Sequence, residues 1–289
     1  MEVVETNLIY PSSEVGFTFW YLTDIHYGSR YCDEDLLDKY VKRIGDDPYA
    51  RWWLGGDPCD FIVPQDSKRF DPKAIAPWIG LEDLDNIPMV QSRRLVERLE
   101  PIADKLLGVQ QGNHDDVIRR QHSFNVHVTL LGKMNDLREK KGLPFVPSLG
   151  YSAFHVLRFN RNAIRKGHGA DTSLTVYLHH GYFTGRLKGS RALAMERIFA
   201  YYDCDLAMFG HCHDRLAFKT VCMRVEKKST MLTYRARSRA VVTNGGFLRG
   251  LALPGEQAPY TEQKGLYPTE LGPIPVKYFP EHRTMDIVQ

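Results

Sequence analysis

The 289-residue chain has no CxxC pair, and its five cysteines (Cys32, Cys59, Cys204, Cys212 and Cys222) are irregularly spaced. An odd, scattered set argues against a disulfide framework and fits a reducing compartment. No apolar run reaches the about 18 residues that a bilayer span needs. The opening segment MEVVETNLIYPSSE is acidic and lacks the apolar core of a signal peptide. The expectation is therefore a cytoplasmic protein with no membrane partner. Internal repeats and low-complexity blocks are also missing, which excludes solenoid and fibrous classes. Charge of one sign is scarce: 38 Lys+Arg against 35 Asp+Glu leave +3, too little to indicate nucleic-acid binding by itself.

What is present is ordinary globular composition, 43% apolar and 25% charged. The length is ample for a substantial core, and no linker divides it, so residues 1–289 are expected to form a single domain. Short aromatic or β-branched runs predict strands at 17–24, 49–57, 106–111, 152–160, 172–181 and 205–211. Helical spacing marks 33–47, with Asp33 as its cap, and then 91–106 as far as Pro101, 125–142 and 190–203. Residues 61–90 hold four prolines and mixed charge. They read as an ordered insertion, either a lid or binding loop or surface decoration. After 215, strands follow strands (215–225, 230–235, 239–244) before a Pro/Gly-rich tail. Strand and helix alternate first and strands cluster later, which predicts an α/β fold in layers rather than a doubly wound sheet.

Five of the strands end alike. LTDIHYG carries Asp24 and His26, LGGDPCD carries Asp57 and Asp60, and QQGNHDD carries Asn113, His114 and Asp115. YLHHGY carries His179 and His180, and FGHCHD carries His211 and His213. Ligand sites gather where strand ends converge at one edge of a sheet. If the strands stay extended, the spacing of two in DIH and HCH puts both side chains on one face and turns Cys212 away. Carboxylate mixed with imidazole suits Mn²⁺, Fe or Zn²⁺ better than Ca²⁺. So many ligands exceed one tetrahedral zinc. They suit two ions sharing a carboxylate, about 3.5–4 Å apart, with a bridging water acidified into a nucleophile.

In order, D24-I-H26, G56-D57-P58-C59-D60, G112-N113-H114-D115, the histidine pair at 179/180 and G210-H211-C212-H213 resemble the five blocks of the calcineurin-like metallophosphoesterases, with a phage or bacterial flavour in the segment after 180. The resemblance spans residues 24 to 213. It implies a four-layer sandwich of two mixed β-sheets flanked by helices. It also implies that Asp24, His26 and His213 hold one metal, that Asn113, His180 and His211 hold the other, and that Asp57 bridges them. His180, directly followed by glycine, is preferred as the ligand, which leaves His179 as an outer-layer or substrate contact. His114 would touch phosphate and protonate the leaving oxygen, Asp115 would orient it, and Asp60 would support the ligands. The cofactors implied are two divalent transition-metal ions, manganese first, with iron, zinc or nickel as alternatives.

The implied activity is hydrolysis of a phosphodiester or phosphomonoester through a metal-bridging hydroxide, with DNA or RNA as a candidate substrate. The alternatives are a non-catalytic metal-binding scaffold of the same fold and a single-zinc protein built on HCH. Singly, Asp24, Asp57 or Asn113 would be ordinary turn residues; five blocks in order are what lift them above that. His122, His127, His155, His168 and His282 read as core or surface residues. The basic candidates for substrate contact are Arg119, Arg120, Arg186, Lys188, Arg191, Arg235, Arg237 and Arg239, of which Arg119 and Arg186 follow the blocks most closely.

Overall fold

The computed structural model describes residues 1–162, 171–181, 187–228 and 231–288. In chain order the strands and helices are β1 (Glu2–Tyr10), β2 (Phe17–Leu22), α1 (Glu34–Asp46), β3 (Ala50–Leu54), α2 (Ile87–Leu99), β4 (Leu106–Val109), α3 (Asn113–His122), α4 (Val126–Lys140), β5 (Ser152–Arg161), β6 (Thr172–His179), α5 (Lys188–Tyr201), β7 (Leu206–Phe209), β8 (Leu216–Lys228), β9 (Met231–Thr243), α6 (Tyr260–Gln263), β10 (Val276–Phe279) and β11 (Thr284–Ile287).

The strands form two mixed sheets, one ordered β1-β5-β6-β7-β9-β8 and the other β11-β10-β2-β3-β4. Facing side chains such as Phe19, Trp53, Leu157, Val176 and Met208 fill the space between the sheets. On the outside of the smaller sheet, Leu37 and Ile44 of α1, Leu95 of α2 and Met134 of α4 pack against Trp20, Leu22, Trp52 and Leu54. On the outside of the larger sheet, Met195 of α5 meets Tyr177, Ala207, Phe209 and Val241. Helix, sheet, sheet, helix is the four-layer α/β sandwich expected. Each apolar sheet face is buried against a neighbouring layer. Among the described residues, no helix is long and apolar enough to cross a membrane.

Local chemistry accounts for several boundaries. The Asp33 side chain accepts the Leu36 amide and so caps α1, and Leu37, Tyr40, Val41 and Ile44 form its buried stripe. The Asn125 side chain caps α4 by accepting from Val128 N. Residues 61–80 form no regular element, yet they bury Phe61, Val63, Ala76 and Ile79 in the helix-side core.

The structure corrects several element assignments. Asn113, His114 and Asp115 are not in a loop: they form the first turn of α3, behind Gly112. Helix α2 starts at Ile87 and ends at Leu99, and Pro101 sits in a 3₁₀ turn over Glu100–Lys105. The strands expected at 230–235 and 239–244 are one, because β9 pairs with β8 without interruption from Met231 to Thr243. The N-terminal segment is an edge strand parallel to β5. Part of the tail is not irregular either: β10 returns to pair with β2.

Strand direction fixes where the site forms. β2, β3 and β4 run parallel in one sheet, and β6, β7 and β9 run parallel in the other. Their C-terminal ends lie at one edge of the sandwich, and every ligand-type block follows one of those ends.

Candidate metal centre

The chain does not stay extended after these strands. Asp24, His26, Asp57, His211 and His213 all adopt left-handed backbone conformations, with φ of 53°, 47°, 54°, 65° and 48°. Each such non-glycine residue costs on the order of 1–2 kcal/mol, and persists only where its surroundings hold it. Here main-chain hydrogen bonds between blocks hold them: Asp24 N to Gly56 O at 2.9 Å, His26 N to Asp57 O at 3.1 Å, Gly210 N to His180 O at 2.8 Å, and Phe247 N to Asp24 O at 2.9 Å. The side chains of DIH and HCH therefore converge through turned backbone rather than through strand pleat. Two glycines make the close approach feasible. A Cβ on Gly210 would lie 2.4 Å from Asp24 Oδ2, and one on Gly56 would lie 2.5 Å from His180 Nδ1.

Both buried carboxylates divide their oxygens. Asp24 Oδ2 accepts from the His211 amide and the Thr23 hydroxyl, each at 2.8 Å, while Asp24 Oδ1 is buried with no hydrogen-bond donor. That free oxygen lies 3.3 Å from His213 Nε2 and 3.9 Å from His180 Nε2. Asp57 Oδ1 accepts from the His114 amide at 2.8 Å, and Oδ2 lies 3.2 Å from His180 Nε2. Asn113 Oδ1 is 3.0 Å from that same nitrogen. His26 Nε2 and His213 Nε2 face each other at 3.3 Å.

The converging atoms are thus acceptors or imidazole nitrogens, a donor set that fits a cation. Candidate ligand atoms of Asp24, Asp57, His180 and His211 lie within 4.8 Å of one another, as do those of Asp24, His26 and His213. Asp24 belongs to both sets, and Asp57 recurs in a third with His26 and His114. The cluster suits divalent metal. No cysteine belongs to any of these sets among the described residues; Cys59 is fully buried in the helix-side core.

The electrostatics agree. Burial pushes the carboxyls of Asp24 and Asp57 up, but the surrounding histidines, His180 foremost, together hold both below the usual carboxylate range. Burial opposes protonation of His180, yet Asp57 and Asp24 raise its pKa to about 9. Without metal, an imidazolium stands where the two carboxylates demand positive charge. Asp115 behaves differently. Burial, then the Asp57 charge, raises its carboxyl to about 7.

His114 Nδ1 sits 2.6 Å from the main-chain carbonyl of Asp60. A carbonyl only accepts, so Nδ1 carries the proton and Nε2 is the free position. The orienting partner is therefore Asp60, not Asp115. Asp115 Oδ2 instead accepts from Gly112 N at 2.6 Å and Asp57 N at 3.3 Å, joining two blocks. Asp60 also lies beside His26, with Oδ1 3.3 Å from its Nδ1.

Other candidates lie further out. His179 accepts the Gly181 amide at Nδ1 (2.7 Å) and has its ring near Phe209, outside the ligand sets. Arg119 is engaged by Asp116, 2.5 Å from Nη2 and 3.1 Å from Nε, on its own helix. Arg186 lies outside the described residues, as does His168. His127 and His155 are core residues, and His122 and His282 are exposed.

Two contributors went unread in the sequence. The Thr23 hydroxyl braces Asp24 and lies 3.2 Å from the Gly56 carbonyl. The segment Asn244–Phe247 closes the cradle: a Cβ on Gly246 would come within 2.8 Å of His213 Nδ1. Its signal was available, since VVTNGGF repeats the layout of an apolar strand running into glycine.

No family model and no curated protein matches the chain. Solved structures do. A metallophosphoesterase from Sphaerobacter thermophilus aligns over 94% of this chain and 89% of its own, at 14% identity and a TM-score of 0.36. A conserved protein from Streptococcus pneumoniae, described as a predicted phosphoesterase, aligns over 95% and 99%, at 10% identity and a TM-score of 0.32. Vps29 from Entamoeba histolytica, complexed with zinc, aligns over 94% and 97%, at 11% identity and a TM-score of 0.30. At these scores the likeness assigns no residue its role. In its five ordered blocks and its two-sheet sandwich, the chain resembles the calcineurin-like metallophosphoesterase superfamily.

Proposed function

We propose that this chain is a metal-dependent phosphoric-ester hydrolase of the calcineurin-like type, acting on a phosphodiester or phosphomonoester. The observation that carries the reading is the cluster of carboxylate oxygens and imidazole nitrogens around Asp24 Oδ1 and Asp57 Oδ2, with the His114 ring beside it. Asp24, His26 and His213 would hold one divalent ion; Asn113, His180 and His211 would hold a second; and Asp57 would serve both. When bound, such ions supply Lewis acidity towards phosphate oxygens and acidify water.

The chain's own residues supply the rest. Thr23 and the His211 amide fix one oxygen of Asp24, and the His114 amide fixes one oxygen of Asp57, so the other oxygens are held in place. The His114 ring packs edge-on against His26, with centroids 4.7 Å apart, and its Nδ1–H is tied to Asp60. Protonated at Nε2, it would donate to the departing oxygen as a general acid. Manganese is the preferred ion, with iron, zinc or nickel as alternatives, and nucleic acid is a candidate substrate.

The test is hydrolysis of bis- and mono-(p-nitrophenyl) phosphate with Mn²⁺, Ni²⁺, Zn²⁺ or chelator, together with a count of bound ions per chain. Two ions with metal-dependent turnover are expected. Tightly bound metal with no turnover of either ester would instead make the chain a binding scaffold, and one zinc per chain would remove the dinuclear reading.

A further inference from the structure

A second polar cavity, of about 430 Å³, opens at the other end of the sandwich. It is built around Thr172–Thr175, at the start of β6, with Tyr278 and the β8–β9 hairpin. His179 ends the same strand seven residues after Thr172, about 23 Å away at strand rise. The cavity is therefore separate from the candidate metal centre.

Five arginines line it: Arg158, Arg224, Arg235, Arg237 and Arg283. Two are already committed, Arg158 to Glu5 at 2.6 Å and Arg237 to Asp203 and Asp205 at 2.7 and 2.6 Å. Among the described residues, the other three make no ion pair. Asp171 and Glu226 also line the cavity, as does Asp205, which Arg237 already engages, so the three unpaired arginines leave one net positive charge.

Arg224 and Arg235 are register partners on β8 and β9. Directly opposed like charges destabilise a strand pair unless something neutralises them. Neither guanidinium can shed its charge, because arginine stays protonated in proteins. Arg283 projects from the β10–β11 turn into the same cavity. Ser173 and Ser238 also line the wall.

We propose that this cavity binds the phosphoryl group of a small phosphorylated ligand, of mononucleotide size, held by Arg224, Arg235 and Arg283. Guanidinium forks match phosphate oxygens two at a time. A phosphomonoester offers three terminal acceptor oxygens to the three guanidiniums, whereas a carboxylate or an internal phosphodiester offers two. The volume falls within the about 300–1,000 Å³ typical of small-molecule pockets. The site stands independently of the hydrolase reading, because none of its residues belongs to the metal cluster.

The test is calorimetric titration of chelator-treated protein with inorganic phosphate, adenosine 5′-monophosphate, adenosine and the dinucleoside monophosphate ApA. Phosphate and the monophosphate should bind, and adenosine and ApA should bind at least tenfold more weakly. Equal affinity for the first two would mean that the phosphoryl group alone is read; tighter binding of the nucleotide would add a base or sugar contact. The double variant Arg235→Gln/Arg283→Gln should weaken binding at least tenfold. A second readout does not depend on that variant's affinity: phosphate should raise the melting temperature of wild type, and Arg224→Gln should melt higher than wild type in phosphate-free buffer. Failure of wild type to bind either phosphate compound would overturn the proposal. So would binding that survives the double variant but is lost in His114→Ala, which would put the anion at the metal centre instead.

Discussion

The main-chain amide of His211 donates to Oδ2 of Asp24 at 2.8 Å, and the other oxygen of that buried carboxylate is left with no donor. One block of sequence thus orients the carboxylate of another, 187 residues away. At Asp57 the His114 amide occupies one oxygen, and the other meets His180 Nε2 at 3.2 Å. A carboxylate held at one oxygen and open at the other is primed for a cation and costly without one.

Replacing a carboxylate oxygen of this cluster should remove metal before it unfolds the protein. Asp57→Asn is expected to lower bound metal by at least one ion per chain. It should also reduce hydrolysis of bis-(p-nitrophenyl) phosphate by more than about 100-fold, beyond the usual cost of losing an outer-layer partner. Metal analysis and initial rates check this. Saturating Mn²⁺, at about 100 times its Kd, should stabilise wild type by about 2.7 kcal/mol for each ion bound, and Asp57→Asn by much less. A variant with full metal and full rate would remove Asp57 from the site.

His114→Ala should leave metal content unchanged while slowing hydrolysis by about 10²–10⁴-fold, the range for a lost general acid. The loss should depend on the leaving group. An alkyl phosphodiester, whose departing oxygen needs a proton, should suffer more than a p-nitrophenyl ester, whose phenolate leaves without one. An equal loss on both would mean that His114 only binds phosphate.

Two buried histidines away from the site should make the fold acid-sensitive. Burial lowers His127 and His155 from 6.5 to about 4. His155 accepts the Trp53 indole N–H at Nδ1 and pairs with Thr6 at Nε2, so it is held neutral. Because the unfolded chain takes up these protons first, stability is full above about pH 6.5 and falls as pH drops towards 4. Between pH 7 and pH 5 each histidine should cost about 2 kcal/mol. Urea midpoints of metal-free protein across that range check the slope, and His155→Gln should flatten it. A variant as pH-sensitive as wild type would sink the assignment.

The ion pair between Arg191 and Asp214 fastens α5 beside the GHCH turn, with Nη1 2.5 Å from Oδ2 and both side chains largely buried. Lys188 lies 3.4 Å from the other oxygen. Removing one partner of a buried pair costs about 3–5 kcal/mol, and the nearby lysine should keep Arg191→Met at the low end. In a chain of this size that corresponds to roughly 6–10 °C in melting temperature. Asp214→Asn combined with Arg191→Met should recover part of the loss, because the uncompensated charge is gone. Strict additivity of the two changes would show that the pair does not couple.

Local features were legible wherever one short segment carries its own reason. Asp33 caps α1 because its side chain reaches the amide three residues on, and the stripe Leu37, Tyr40, Val41, Ile44 recurs at helical period. The core strands around Trp52, Trp53 and Leu206–Phe209 are apolar throughout because both faces are covered. The edge strands were less legible. β1 exposes much of one face and finds its partner β5 about 150 residues later, and β10 is four residues long and pairs with β2 across most of the chain. Such short segments become strands through their partner's register, and that register is not written in them.

The site divides in the same way. The sequence by itself determined which side chains could meet a metal, because Asp, His and Asn at the strand ends carry that chemistry and the glycines beside them allow close approach. Tertiary structure decided how they meet. Parallel strand ends from two sheets bring the blocks to one edge, left-handed backbone at Asp24, His26, Asp57, His211 and His213 turns them inward, and amides of distant blocks choose which oxygen of each carboxylate stays open. Those conformations cost energy locally and are held only by hydrogen bonds between segments far apart in the chain, so no window of sequence could have contained them.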